Sequence, residues 1–348
     1  MYTLTKWLLK LPDGLLLLLS GQPQMTASGG RKMDPANQLV LATSLRQQTL
    51  FIDPSRSVPE LREWWKQQLK PFAKPPLKSV QKRDMAMPVG EETIPIREYT
   101  PQDVDATSPA LVYLHGGGFT AFEIDTYQGF CEHIAHTLGI KVYSVGYRLA
   151  PEHPYPTPLD DCCAAFAWVC RHADELGLDP SRISIGGDSA GGNMSAALCL
   201  KLRDAGAALP RAQLLIYPST DLSSGFSTDH PNAFPSIDEF AEGQIITRAH
   251  LKWFGSQYVP DRAQMKEAYA SPLLAEDHSG LPPAVVITAG FDPLRDEARA
   301  YADRLTEAGV STQYKEFSSL GHGFVIADAS AVVLEANNTI CDLFQTIL

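Results

Sequence analysis

Residues 182–193 read Arg-Ile-Ser-Ile-Gly-Gly-Asp-Ser-Ala-Gly-Gly-Asn, and the reading of this stretch decides the fold. A short β-branched run at 183–185 leads into Gly187-Asp188-Ser189-Ala190-Gly191, and a helix-compatible segment, 193–202, follows at once. Strand, sharp turn and helix form the setting in which G-x-S-x-G presents a serine at the top of a sheet. The glycines have a steric reason. They flank a turn that forces the serine into a strained backbone conformation, where a Cβ on either side would clash. Taken alone, the pentapeptide fits an ordinary glycine-rich connection with an incidental serine equally well. Its partners elsewhere in the chain decide between the two.

Outward from this stretch, short runs alternate with amphipathic segments. The runs at 110–114 and 141–146 predict buried strands, and those at 183–185, 212–217, 284–288 and 312–317 predict further strands. Helices are predicted between or after them at 125–138, 158–172, 193–202, 293–308 and 329–347. Such alternation implies a mostly parallel sheet covered on both faces. Upstream, a period of two at 83–89 and 93–99, around Gly90-Glu91, adds an antiparallel hairpin at one edge. Eight strands in this order make a doubly wound α/β fold.

Two regions lack the sheet pattern. Residues 1–80 carry helical spacing instead, with Leu39, Leu41, Leu45 and Leu50 in a helix over 34–50. Leu61, Trp64, Trp65 and Leu69 mark a second helix over 58–69, with Ser57 ahead of Val58-Pro59-Glu60 as its N-cap. A helical arm of this kind cannot make a core alone and has to sit on something else. Between 219 and 279 the alternation lapses, and Phe226, Phe234, Phe240, Trp253, Phe254 and Tyr258 stand among many polar residues. A break of that length inside a wound sheet predicts a lid. The expected division is therefore a helical arm over 1–80, the two parts of the α/β domain over 81–218 and 280–348, and an insertion over 219–279.

Composition narrows the class. A chain of 348 residues with 44% hydrophobic and 20% charged residues suits one large α/β domain with an inserted or terminal lid, or two smaller domains. A net charge of −11 and the lack of any basic block longer than a pair exclude nucleic acid as a partner. The six cysteines (Cys131, Cys162, Cys163, Cys170, Cys199 and Cys341) show neither C-x-x-C pairs nor metal spacing, which points to apolar fillers in a cytoplasmic protein. Near the N-terminus, Leu15 to Leu19 with Lys6 and Lys10 ahead of them resemble a secretion signal. Pro12-Asp13-Gly14 interrupts the apolar stretch, however, so an amphipathic surface segment without a stable membrane anchor is expected.

A serine hydroxyl needs a base to become a nucleophile at neutral pH. Four histidines follow Ser189: His230, His250, His278 and His322. His322 stands in Gly321-His322-Gly323-Phe324, between the last strand and the last helix, where flanking glycines let the imidazole project over the sheet edge. The base in turn needs a carboxylate to hold its tautomer. Asp292 follows the strand at 284–288 and so stands at a carboxyl end of the sheet, where ligands collect in open α/β folds. Before Pro293 it also reads as a helix N-cap, and Asp296 is the alternative. The tetrahedral intermediate needs donors for its oxyanion. His115-Gly116-Gly117-Gly118 follows the strand at 110–114 and lets backbone N–H groups approach a substrate oxygen; it lacks the G-K-[ST] ending of a phosphate loop.

These motifs, together with Tyr147-Arg148-Leu149-Ala150-Pro151-Glu152-His153 and Asp292-Pro293-Leu294-Arg295-Asp296, resemble those of the hormone-sensitive-lipase family of bacterial esterases. The Gly-Asp-Ser-Ala-Gly form is similar to that group's more common subfamily. The resemblance implies an α/β-hydrolase fold with a helical cap, built from the N-terminal arm and the insertion. It implies hydrolysis of short-chain acyl esters without cofactor or metal, through Ser189, His322 and Asp292. By position, the oxyanion donors would be the N–H groups of Gly117, Gly118 and Ala190. Phe119 and Tyr217 are the candidates for substrate contact. His115 is expected to orient the oxyanion loop, and Arg148 with Asp160 or Asp161 to pin the proline-rich loop at 151–158. Amide or lactone hydrolysis by the same groups, and a non-catalytic receptor on this fold, are the alternatives; the presence of His322 argues against the receptor. Dimers are common in such proteins, and the strand at 312–317 offers an edge for a homodimer.

Overall fold

Four helices precede the large sheet in the computed structural model, which describes residues 2–46, 52, 55–70, 73–105, 107–226, 234–326 and 330–348. They are α1 (Tyr2–Leu8), α2 (Asp13–Ser20), α3 (Pro35–Arg46) and α4 (Val58–Leu69). The ends of the helices expected over 34–50 and 329–347, and His230, lie outside the described residues. Helix α4 begins where its capping signal stands: the Ser57 N–H donates to Glu60 Oε2 at 2.7 Å, with Pro59 in the first turn. Between α2 and α3 lies a small antiparallel pair, β1 (Thr26–Ala27) and β2 (Arg31–Lys32), which corrects the expectation of an arm without strands. Two residues per strand are too few to show a period of two.

The main sheet follows as β3 (Val80–Val89), β4 (Glu92–Pro101), β5 (Ser108–Leu114), α5 (Gln128–Leu138), β6 (Lys141–Val145), α6 (Thr157–Arg171), α7 (Ala173–Leu176), β7 (Leu178–Asp188), α8 (Ala190–Asp204) and β8 (Gln213–Ile216). After β8 come, among the described residues, the α-helices α9 (Pro235–Glu239) and α10 (Arg248–Tyr258). The sheet then resumes with β9 (Ala284–Phe291), α11 (Arg295–Glu307), β10 (Thr312–Gly321) and α12 (Ala331–Gln345). The strand order is β10-β9-β8-β7-β5-β6-β4-β3. The β3–β4 and β4–β6 ladders are antiparallel and the others parallel, as the hairpin and the alternation predicted.

Both faces of the sheet are covered, so its central strands are buried throughout. Along β5 the pleat sends Val112 and Leu114 toward α6, α8 and α11, and Leu111 and Tyr113 toward α5 and α12. All six cysteines sit in these helices as free thiols, four of them fully buried. Parallel strands end on one side, so the residues after β5, β7, β9 and β10 emerge along a single edge. The arm and the segment after β8 meet over that edge: Trp65 of α4 packs against Trp253 and Phe254 of α10, at 6.2 and 6.1 Å between ring centroids. Among the described residues no helix is long and apolar enough to cross a membrane.

Candidate active site

Ser189 connects the last residue of β7 to the first of α8, with φ 54° and ψ −117°. For a residue with a Cβ this left-handed conformation costs about 1–3 kcal/mol and persists only where the surroundings enforce it. Here the Ser189 N–H donates to Ile216 O of β8 at 2.9 Å, and its carbonyl accepts the Asn193 N–H at 3.0 Å. Gly191 is required because a Cβ there would overlap the Leu114 carbonyl of the neighbouring strand. The turn therefore holds the hydroxyl out over the sheet edge.

His322 meets that hydroxyl from the end of β10. Its Nε2 is 3.0 Å from Ser189 Oγ, and its Nδ1–H donates to Asp292 Oδ2 at 2.8 Å. Those two partners dictate the tautomer, with the Nε2 lone pair facing the serine. Tyr217 lies beneath the imidazole at 4.6 Å between ring centroids. Asp292 is wholly buried at the end of β9. Its second oxygen accepts the Leu294 N–H at 2.9 Å, so the residue starts the turn into α11 while serving His322. The alternative carboxylate, Asp296, faces away toward Arg295 and the Ser236 N–H. Of the other histidines, His250 caps α10 beside Thr247, and His278 is buried against the Pro272 carbonyl.

The glycine loop after β5 faces the same hydroxyl. Gly117 and Gly118 have φ of 117° and 59°, and their N–H groups, with that of Ala190 at the start of α8, donate to no acceptor among the described residues. Three free donors beside a serine are what a developing oxyanion requires. Asp188 holds the loop from below. Its Oδ1 accepts the Tyr113 hydroxyl and the Gly116 N–H, each at 2.8 Å, and its Oδ2 accepts the Tyr127 hydroxyl at 2.9 Å. Burial raises this carboxyl to about 6 against the three hydrogen bonds that favour its ionised form. His115 stacks on Tyr147 at 4.3 Å, and its Nδ1–H donates to Gly116 O at 2.7 Å. Burial drives it down to about 4, so it is neutral at physiological pH and acts as a packed support for the loop.

A cavity of about 150 Å³ opens over Ser189, bounded by α3 (Asn37, Val40, Leu41, Ser44), α4 (Trp65, Leu69), the glycine loop, the segment after β8, and α10 (Leu251, Phe254). Phe254 lies so close to Gly118 that a Cβ on that glycine would overlap its ring. Phe119 borders the cavity, but its ring stacks on Tyr258 at 3.8 Å and is almost wholly buried. Tyr217, expected to touch substrate, supports His322 instead. Of the aromatic residues of α4 and α10, Trp65 and Phe254 line the cavity, while Trp64 and Trp253 pack behind them. Arg148 pairs with Asp161, through Nε at 2.9 Å and Nη2 at 2.7 Å, and Asp160 instead binds Lys201. Missed entirely were Asp188 as the loop's anchor and the polar side chains of Asn37, Ser44 and Gln244. The unusual Asp inside the glycine-rich turn was a signal for the first. Nothing local marks the others.

Residues 111–326 match the model of a family described as the alpha/beta hydrolase fold. The chain is 42% identical over 248 residues to the carboxylic ester hydrolase LipN of Mycobacterium tuberculosis, a match covering 70% of this chain and 64% of LipN, just under two thirds. It is 43% identical over 243 residues to the carboxylesterase NlhH of the same species, covering 68% of this chain and 72% of NlhH. Among solved structures, an ester hydrolase from the metagenome of Lake Arreo, in complex with a derivative of bipyridine phosphonate, superposes with a TM-score of 0.83. That pair shares 36% identity and covers 90% of this chain and 98% of the other.

Proposed function

The chain belongs to the hormone-sensitive-lipase family of the alpha/beta hydrolase fold, and from that premise we propose that it is a serine carboxylesterase acting on small-molecule esters with short acyl chains. The observation that carries the reading is the line from Ser189 Oγ through His322 to Asp292, at 3.0 and 2.8 Å, opposite three unused N–H donors.

Ser189 Oγ attacks the ester carbonyl while His322 Nε2 takes its proton. Asp292, accepting from Nδ1–H, stabilises the imidazolium. The carbonyl oxygen becomes an oxyanion held by the N–H groups of Gly117, Gly118 and Ala190. Collapse of the intermediate expels the alcohol, which leaves with the proton from Nε2, and Ser189 keeps the acyl group. Water then attacks with His322 as base, and the acid departs by the reverse path. Acyl length is limited by the walls: about 150 Å³ accommodates a group about the size of benzene. The arm and the 219–279 segment form the cap that makes those walls. A cytoplasmic location is part of the same reading, supported by the free buried thiols and checked by cell fractionation. So is a homodimer across the outer edge of β10. The arm occupies the second half of that edge through Arg31–Glu316 and the Asp34 N–H to Ser319 O, which leaves residues 312–315 for pairing.

Ser189→Ala tests the mechanism: a loss of roughly 10⁵–10⁶ in kcat on a butyrate ester is expected, and turnover near the wild-type rate would refute it. A series of esters from acetate to palmitate tests the chain length, and strong activity on palmitate would refute the short-acyl reading.

A further inference from the structure

Among the polar side chains that line the mostly apolar cavity, those on the side of Gly321 stand apart from the serine and its partners. Gln244, between α9 and α10, is only 4% exposed and faces the cavity, yet its side-chain amide bonds to no group among the described residues. Asn37 stands beside it. Its Oδ1 accepts the Gly321 N–H at 3.0 Å, which establishes which end of the amide is oxygen. Both Nδ2 hydrogens are then left without an acceptor among the described residues. The position a Cβ would take on Gly321 lies 3.5 Å from Asn37 Oδ1 and 3.9 Å from Gln244 Oε1, so the two amides flank the residue before His322. Two turns along α3 from Asn37, the Ser44 hydroxyl also faces the cavity, 7% exposed and unpartnered among the described residues.

We propose that Gln244, Asn37 and Ser44 form a hydrogen-bonding subsite for the leaving group, fitted to esters whose alcohol carries a neutral polar group such as a second hydroxyl. The proposal rests on the esterase reading above, because it uses the direction of the reaction. The acyl oxygen turns toward Gly117, Gly118 and Ala190, while the alcohol oxygen turns toward His322 Nε2 to collect its proton. Groups flanking Gly321 therefore meet the alcohol and not the acyl chain. The surroundings disfavour an anion, since among the described residues no Lys or Arg lines the cavity and Asp221 does, and the three side chains that would meet the alcohol are themselves uncharged, which fits a neutral partner. Gln244 and Ser44 both donate and accept and Asn37 donates, which matches a hydroxyl as donor and acceptor.

The test compares 2-hydroxyethyl butyrate with propyl butyrate, which share the acyl group and differ by one hydroxyl in place of a methyl. In the full chain, kcat/KM is expected to favour the hydroxyethyl ester by about tenfold or more. Gln244→Met, which keeps the side-chain length and removes the amide, is expected to lower that preference at least about fivefold. The intrinsic reactivity of the two esters is the same for both proteins, so the change in ratio isolates the subsite. A preference identical in wild type and Gln244→Met overturns the subsite and leaves the esterase reading standing. Folded wild-type protein that hydrolyses neither ester, and whose Ser189 resists an organophosphate, overturns both.

Discussion

Replacing Asp188 separates the stability of the elbow from its chemistry. In Asp188→Ala, the Tyr113 and Tyr127 hydroxyls and the Gly116 N–H lose their acceptor in a site without access to water. At about 1–3 kcal/mol for each buried orphan, the loss is about 3 kcal/mol or more. With Gly116 released, the oxyanion donors next to it lose their preorganisation, and kcat falls by up to about 10². Asp188→Asn is the sharper probe. Its oxygen still accepts from Tyr113 and Gly116, and the Tyr127 hydroxyl can turn to accept from the new NH₂, so activity stays within about tenfold of wild type. What changes is the pH dependence. The folded carboxyl is raised from 3.8 to about 6, so the folded chain holds a proton that the unfolded chain has released. Its contribution is fully present below about pH 4 and is lost as pH rises through about 6. The whole effect is about 3 kcal/mol, of which about 2 lies between pH 4.5 and pH 7.5. Urea unfolding of both proteins at these two pH values reads it directly. The Asn variant should gain about 2 kcal/mol on wild type as the pH is raised. A difference that stays constant, or moves the other way, refutes a carboxyl raised by burial at this position.

Three further outcomes are expected. Arg148→Met strands the buried Asp161 carboxylate and should cost about 3 kcal/mol in urea unfolding, whereas Asp160→Asn, at an exposed pair with Lys201, should cost under about 0.5; equal effects would refute the pairing. Phe254→Ala removes the wall against Gly118 and should raise the octanoate-to-butyrate ratio of kcat/KM by about tenfold, and an unchanged ratio would show that α10 does not limit the chain. Light scattering with hydrogen exchange should find a dimer whose amides at 312–315 are protected relative to dilute protein. A monomer at about 50 µM, or a dimer without that protection, would remove β10 as the interface.

Much of this was legible in the chain itself. Six short runs spaced by amphipathic helices, together with an alternating hairpin upstream of them, predicted the eight-stranded sheet, because strands buried on both faces are apolar throughout and strands exposed on one face alternate. The residues with chemistry were legible for a related reason. Ser189, Asp292, His322 and the glycines at 116–118 all come directly after a strand, and parallel strands deliver the residues at their carboxyl ends to one edge. That inference needs only local pattern and handedness, and the distances of 3.0 and 2.8 Å agree with it.

Tertiary structure decided what depends on contact between segments that are remote in sequence. The choice of Asp161 over Asp160 as the partner of Arg148 turns on which face of α6 is buried, and adjacent residues on a helix face about 100° apart. Tyr217 was a candidate for substrate contact, but its ring packs against His322. The arm is the clearest case. Its helical spacing announced that it must pack on something, yet nothing in residues 1–80 says that Asn37 reaches Gly321, 284 positions away, or that Trp65 meets Phe254. Local sequence determined the reaction, since strand ends and glycine-rich turns are local features. The shape and polarity of the cavity that receives the substrate came from packing helices that carry no such signature.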